Sequence, residues 1–551
     1  MPTLENQPPY FSSVPAEARR QLHRYAAENP TLALTPEYID EHIIFEGSDM
    51  PLLPGGLKSD ALVSAAFGAF GAVADQVAAL RYGSKPSNIT VNTDHATYFL
   101  AAPALFSING VTPPDCKQLA PNWEEEGMWT PPLHNAATRI YPTKDGRWFQ
   151  FHGDLNASAL LKDIGIEDRR DITNQEAQKI IGDWIMQYTA DEIEAMMVQL
   201  KHSGSKCYKP EEWLATPMGA ALARQPLFDV REIGTSPGQP AAFPQAKNRR
   251  ILEGIKVVEF VRVIAGPTIG RTLAELGAQV IKVNPPKLRD ITSLQYTLTA
   301  GTHTVALDAK DSVEKEQLED LVSQADVFIN GFRPKSLERL GFGKQRVMEL
   351  VKRKKGPDAG IVYVDESCYG PEGPYSCRTG WQQIADTASG ASYVQGRTLG
   401  LPDEECILPP LPISDLVTGV IGATSTLCAL RDRAKRGGDY YVSACLTKYD
   451  MDAVAAGVYP EQVLQAREIQ YEGLNSMDNV AELLAKVMNG LMPKRAGDLD
   501  IRGDSPYFTE FSEGPFERIR ILAPVAQIDQ YPSKWDHSPR PYGYDAPTFE
   551  Y

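Results

Sequence analysis

One carboxylate in this sequence stands where a nucleophile would be useful. Asp415 lies in Pro412-Ile413-Ser414-Asp415-Leu416-Val417-Thr418-Gly419, directly before a long apolar stretch over 416–430 that has the pattern of a buried helix. Aspartate at a helix start is often an N-cap, and that bland role is open to Asp415. A helix N-terminus also keeps a carboxylate ionised, and such an anion can attack an activated acyl group and carry it covalently. A second set of residues is cationic. Val261-Arg262-Val263-Ile264-Ala265-Gly266-Pro267 places an arginine and small residues between a β-branched run and a helix start. This suits a phosphate-bearing ligand and equally a plain tight turn. Arg333 in Gly331-Phe332-Arg333-Pro334, Arg339 shortly after it, and Lys310 behind Leu307-Asp308 either hold phosphates or lie solvated at the surface. Trp381-Gln382-Gln383 follows Arg378-Thr379-Gly380 where a loop enters a helix. A buried tryptophan there is usually core, and glutamine is a poor acid or base.

Other chemistries are disfavoured. The eight histidines are scattered, with no H-x-x-x-H or H-E-x-x-H spacing, so no metal site is expected. No Walker loop occurs, and the first βα turn after residue 250 lacks G-x-G-x-x-G, which argues against a nicotinamide or flavin bound in the usual way. The one G-x-S-x-G string, Gly234 to Gly238, sits in a Pro-rich stretch rather than in a strand-turn-helix. The 551 residues carry 55 Lys plus Arg against 71 Asp plus Glu, a net charge of −16, which argues against a broad nucleic-acid surface. No apolar run of 18 residues predicts a membrane span, and the start Met1-Pro2-Thr3-Leu4-Glu5-Asn6 lacks the pattern of a signal peptide. Seven widely spaced cysteines without a C-x-x-C pair fit reduced thiols, so a cytoplasmic enzyme is expected.

The elements that must position these residues divide near residue 250. Gly234 to Arg250 contains three prolines and little periodicity, and is expected to be a linker. Beyond it, strand-like runs at 255–260, 279–283, 304–307, 327–329 and 361–364 alternate with helical patterns, which predicts an open parallel α/β sheet. The N-terminal half predicts an α+β region with few strands, chiefly Ile89-Thr90-Val91 and Trp148 to Phe151, and a buried helix over 61–80. A weak internal echo links the halves. Ser59-Asp60 and Ser414-Asp415 each precede an apolar helix, a basic turn and a strand, the helix being five residues longer in the first copy.

Read in order, GIKVVEFVRVIAGP, LAELGAQVIKV, TVALDAKD, ADVFINGFRP, LERLGFG, YGPEGPY and ISDLVTG resemble the family III CoA-transferases, the group of formyl-CoA and carnitine CoA-transferases and α-methylacyl-CoA racemases. The likeness covers about 251–450. More loosely, Ile521 to Trp535 resembles the family's C-terminal return segment. Tyr141-Pro142-Thr143-Lys144-Asp145-Gly146-Arg147-Trp148 resembles the entry to its small domain, and Tyr188 to Ile193 a helix start that follows. The resemblance implies an open parallel Rossmann-like α/β sheet with helices on both faces plus a smaller α+β domain. It divides the chain into a degenerate N-terminal half with a small-domain-like region (1–233), the linker (234–250), a CoA-binding domain (251–450), and a shortened small domain with the return segment (451–551). Family members are interlocked homodimers, so a pseudo-dimer within one chain or a homodimer is expected. The double-length layout resembles fungal members, some of which serve secondary metabolism.

The resemblance also implies roles. Asp415 matches the aspartate that attacks the acyl-CoA thioester, giving an aspartyl mixed anhydride, then an aspartyl-CoA thioester, then CoA on an acceptor carboxylate. Val263, Ile264 and Ala265 fall where the family cradles adenine, with Arg262 beside them. Leu307 and Lys310 match the next CoA-contact segment, Phe332, Arg333 and Arg339 another, and Tyr369 lies near the expected pantetheine channel. Two departures stand out. Where the racemases carry a histidine and an aspartate, this chain has Trp381 and Gln382, which disfavours racemisation; some transferases have Glu at the Gln382 position. Asn284 and Gly331 replace the usual acidic residue and asparagine. The expected activity is CoA transfer between carboxylic acids, with acyl-CoA as substrate and no resident cofactor. An acyl-CoA isomerase, racemase or lyase on the same scaffold, or a non-catalytic binding subunit, are the alternatives.

Overall fold

The computed structural model describes residues 11–113, 115–116, 128–234, 239–402 and 404–551. Most of the G-x-S-x-G string, Thr235 to Gly238, lies outside the described residues.

Seven strands form the main sheet: β1 (Asp229–Ile233), β2 (Lys256–Phe260), β3 (Gln279–Val283), β4 (Thr302–Val305), β5 (Val327–Asn330), β6 (Val362–Ser367) and β7 (Asp439–Cys445). Their order is β4-β3-β2-β5-β6-β7-β1. The strands from β2 to β7 run parallel, whereas β1 lies antiparallel on β7, with Tyr441 opposite Arg231. Val258, Phe260, Ile281, Val283, Phe328 and Tyr363 pack on one face, and Val257, Val280, Val327, Ile329, Val362 and Val364 on the other. This two-sided burial is why the strands are near-continuous apolar runs. The chain moves outward from β2 through β3 to β4, then returns to the other side of β2 with β5. Ligands of such sheets bind at this reversal, outside the carboxyl ends of the strands.

Three helices stack on one face: α2 (Ser59–Tyr82), α3 (Ala265–Ala274) and α5 (Ile413–Arg436), with α1 (Val14–Glu28) lying on α2. Helices α2 and α5 are long and apolar enough to cross a membrane by length and composition, but 94% and 100% of their most apolar windows are enclosed by protein, as in core helices. Helices α3 and α5 approach closely because Gly419 and Gly422 face Thr268 and Ile269; a Cβ on Gly419 would lie 2.4 Å from Thr268 Cβ. Two further helices matter to the site, α4 (Gln382–Ala388) and α6 (Leu446–Ala455).

The internal echo corresponds to a repeated arrangement. Helices α2 and α5 both have 24 residues, so the expected five-residue excess of the first copy is not present. Helix α5 lies between the parallel strands β6 and β7, and β1 adds antiparallel to β7. Helix α2 lies between the parallel strands Ile43–Glu46 and Ile89–Asn92, and Gln527–Ile528 adds antiparallel to the latter. Each half thus receives its last strand from the far part of the chain.

The N-terminal half contains more strands than its sequence predicts: Ile43–Glu46, Phe106–Ile108, Arg139–Pro142, Ser203–Lys206 and Asp229–Ile233 join those already expected. They are short, and Ser203-Gly204-Ser205-Lys206 has no apolar alternation to betray it. Arg139–Pro142, Trp148–His152 and Ser203–Lys206 form a small antiparallel sheet over an apolar cluster that includes Tyr141, Phe149, Ile181 and Ile193. The Thr189–Glu192 capping box begins one of its helices where the sequence places a helix start. Arg139 makes a paired bond to Glu482 (2.6 and 2.7 Å), tying this sheet to the C-terminal region.

Candidate active site at the strand reversal

The loops after β2 and β5 meet at the reversal. Arg262 donates to the Arg289 carbonyl (2.8 Å) and lies over the Phe332 ring (5.4 Å). Burial holds its guanidinium below its ordinary pKa, Arg333 adds cationic repulsion, and Asp290 and Asp154 oppose both effects. Val263 has φ +64°, a costly backbone for a β-branched residue, and its amide is held by Asp290 Oδ1 at 3.0 Å. The strain re-aims the chain just before α3, whose first turn has no side-chain cap. Lys310, Arg333 and Arg339 are exposed. Lys310 lies in the segment after β4 and Arg333 in the segment after β5, two strands that are three strand spacings, about 14 Å, apart in the sheet. Arg339 lies farther out, on the short helix Ser336–Leu340.

Asp415 is the third residue of α5, and Pro412 occupies the cap position without a side-chain bond, so Asp415 is not the N-cap. Its carboxyl is buried, and burial pushes it up to about 7. Desolvation therefore outweighs the ionising pull expected of a helix start. One turn later Gly419 comes against the Ala265 carbonyl, where an added Cβ would lie at 2.9 Å, so Asp415 is carried toward the start of α3.

Around it is a group of acids that the sequence reading did not single out. Ser414 Oγ donates to Asp386 Oδ1 (3.0 Å), and Gln382 Nε2 donates to Asp386 Oδ2 and to the Leu411 carbonyl (both 3.0 Å). Asp386 on α4 and Asp450 on α6 interact with each other, and burial pushes both well above the carboxylate range. Glu366, near the end of β6, is pushed up to about 8 by burial, then by Asp415 and Asp365. Among the described residues, no group of three or more His, Cys, Asp and Glu is placed to hold a metal ion.

The small sheet of the N-terminal half reaches this region. Asp154, with φ +52°, accepts from Trp381 Nε1 (2.5 Å) and Ser203 Oγ (2.7 Å) through Oδ1, while its carbonyl accepts from Trp129 Nε1 (3.3 Å). His152 stacks on the Trp381 indole at 5.2 Å and 4°, and burial drives its imidazole down to about 4, so it is neutral. Val263, Ile264 and Trp381 pack in one apolar cluster with Met128, Leu155 and Leu294. Trp381 is therefore a wall shared by both halves rather than plain core of one.

The structure thus brings Arg262, Val263, Ile264, Phe332 and Arg333 together at the reversal. Ala265 and Tyr369 pack in a neighbouring apolar cluster with Trp213, Tyr369 being buried. Leu307 is buried in the core on the opposite sheet face. Both donor hydrogens of Gln382 Nε2 are engaged in holding Asp386 and the loop before α5. A signal for Asp386 was present, one helical turn after Gln382. None existed for Asp154 or Glu366, whose partners are remote in sequence. Two surface clefts of about 440 and 480 Å³ lie elsewhere, one against Arg81 and Phe243, the other against His95 and Tyr507.

A mostly parallel sheet with arginines at the strand reversal and a buried aspartate beside it places the chain among the open α/β proteins that bind ligands at that edge. The profile of CoA-transferase family III matches residues 252–478. The chain is 39% identical over 547 residues to an acyl-CoA transferase of Gibberella moniliformis, covering 97% of this chain and 95% of that protein. It is 32% identical to the acetyl-coenzyme A transferase nodX of Hypoxylon pulicicidum, covering 98% and 94%. Among solved structures, a CAIB/BAIF family protein from Brucella suis aligns at 17% identity with a TM-score of 0.37, over 53% of this chain and 96% of that one. The chain belongs to CoA-transferase family III and is an enzyme of the CoA-transferase class.

Proposed function

We propose that the enzyme moves CoA between carboxylic acids with Asp415 as the nucleophile. The observation that carries this reading is the buried, uncapped Asp415 carboxyl at the start of α5, beside the first turn of α3. The ionised Asp415 attacks the thioester carbon of the donor acyl-CoA, and the carbon–sulfur bond to CoA breaks as an aspartyl mixed anhydride forms. The CoA sulfur then attacks the Asp415 carbonyl, the donor carboxylate departs, and an aspartyl-CoA thioester results. The acceptor carboxylate repeats the sequence in reverse. Each step exchanges one activated acyl bond for another, so no external energy source is needed. Arg262 and Arg333 hold phosphate oxygens of CoA, Val263 and Ile264 flank its adenine, and Asp386 and Gln382 position the start of α5.

The single chain supplies what two chains supply in a strand-exchanged dimer. In support, each half receives its last strand from the other part of the sequence, and Asp154 of the first half meets Trp381 of the second. Mass spectrometry after incubation with acyl-CoA tests the chemistry. An acyl or CoA adduct is expected on the peptide carrying Asp415, and Asp415→Asn loses both adduct and exchange; full exchange in that variant sinks the assignment.

A further inference from the structure

Glu366 carries a carboxyl that the reading above does not use. It lies one residue from the end of β6, opposite Ala444 of β7, at the carboxyl edge of the sheet. A Cβ built on Gly331 would stand 3.1 Å from Glu366 Oε2 and 3.3 Å from Val261 Cγ1. The carboxyl therefore lies over the bare backbone just after β5, beside the segment that follows β2, in the crevice of the strand reversal. Any side chain at 331 would crowd it. Among the described residues, Glu366 has no hydrogen-bond or ion-pair partner. The charged groups that act on it are acids: Asp415 at the start of α5 and, on the opposite face of its own strand, Asp365, with the Cys368 thiol also within its field. No cation appears among them, so the site resists holding Asp415 and Glu366 ionised together.

We infer that Glu366 is a second catalytic carboxyl of this site, giving its proton to the CoA sulfur when Asp415 displaces it and taking that proton back when the thiol attacks the anhydride. This rests on Asp415 being the nucleophile. In the resting enzyme one proton serves the pair, with Asp415 ionised and Glu366 neutral. As the bond from Asp415 oxygen to the acyl carbon forms, the carbon–sulfur bond breaks, and the electron pair left on sulfur takes the Glu366 proton. The products are the mixed anhydride, CoA thiol and a Glu366 carboxylate. When the thiol then attacks the Asp415 carbonyl, its proton returns to Glu366 as the donor carboxylate leaves. The proton count closes over the two steps, and no outside acid or base is consumed. The same pair serves the acceptor half-reaction in reverse. Desolvation supports the assignment, since it pushes Asp415 up to about 7 and Glu366 to about 8. The working state is therefore most populated between those values, with the two limbs belonging to the pair.

The test is steady-state CoA exchange across pH 5.5–9.5 with wild type, Glu366→Gln, Glu366→Asp and Gly331→Ala. Adduct formation on Asp415 and thermal unfolding are followed in parallel. Glu366→Gln is expected to lower kcat by about 100-fold or more, leave KM for acyl-CoA within about twofold, and remove the alkaline limb. Glu366→Asp restores part of kcat together with that limb. Gly331→Ala, which displaces the carboxyl without deleting it, lowers kcat in the same direction. Unchanged kcat and an unchanged alkaline limb in a folded Glu366→Gln enzyme, with the Asp415 adduct still forming, overturn the proposal and leave the nucleophile standing. Exchange by wild type with no adduct on Asp415, and its survival in Asp415→Asn, overturn the nucleophile and this proposal with it.

Discussion

The Trp381 indole donates to Asp154 Oδ1 across 2.5 Å, joining residues 227 positions apart. One comes from a loop of the small sheet, the other from the residue that caps α4. His152 lies flat on the same indole, so the ring is fixed by a bond at its edge and a stack on its face. Through Val263 and Ile264 this wall borders the loop at the strand reversal.

Trp381→Phe keeps a ring for His152 to stack on and removes the N–H donor. A hydrogen bond to a charged acceptor contributes about 1.5–3 kcal/mol. The expected outcome is a loss of about tenfold or more in kcat/KM for acyl-CoA exchange, with a lowered Tm. Asp154→Ala, which also frees Ser203 Oγ, costs at least as much. Steady-state kinetics and thermal unfolding of the two variants check this.

Stability carries a pH signature from Asp415. Its folded pKa is raised from 3.8 to about 7 by burial alone. Between those values the unfolded chain has released the proton while the folded protein keeps it, so this contribution falls as pH rises through the window and is level above it. Asp415→Asn does not suffer that loss. The variant should gain on wild type between pH 4 and pH 8 by a few kcal/mol, about 4 at most. Urea unfolding at both pH values measures it, and a gap that does not widen with pH counts against it.

The cations at the reversal predict a binding defect. Arg333→Ala and Arg262→Ala should each raise KM for acyl-CoA by about tenfold, the value of one modest charge-assisted contact, and change kcat little. The salt dependence of KM should weaken in both, because a screened attraction has been removed. Arg262→Ala also leaves Phe332 without its cation–π partner and should lower Tm slightly. An unchanged KM in both variants excludes these two arginines from the CoA site.

Asp60 stands at the start of α2 as Asp415 does at the start of α5. Its Oδ1 accepts from the Leu52 amide (2.9 Å) and Thr97 Oγ1 (3.2 Å), and Arg467 interacts with it electrostatically. This carboxyl is committed to structure. Asp60→Asn should keep the wild-type exchange rate within about twofold and lose about 1–2 kcal/mol of stability from the weakened contacts. An acyl or CoA adduct on the Asp60 peptide would refute the assignment.

Much of the α/β half was legible in its residues. The strands at 256–260, 279–283 and 327–330 and the helices between them lie within a few residues of their predicted places. Apolar runs, turn glycines and caps act between near neighbours, and such signals survive in a one-dimensional chain. The prominence of Asp415, the cations after β2, β4 and β5, and the doubled Ser-Asp helix starts were visible for the same reason. The strand Ser203–Lys206 was not, because edge strands of Ser, Gly and Lys acquire their conformation from the strand beside them.

Tertiary structure alone decided which residues share the site. Asp386 meets Asp450 across 64 positions, and Glu366 overlies Gly331 across 35. Neither spacing carries a local signal, since such contacts follow from the order of the strands. Burial decided the rest: Asp415 at a helix start was expected to be readily ionised, yet enclosure by α3, α5 and the sheet raises its carboxyl to about 7. A sequence names the ionisable groups, but their proton affinity depends on how much water and which charges the folded chain leaves around them.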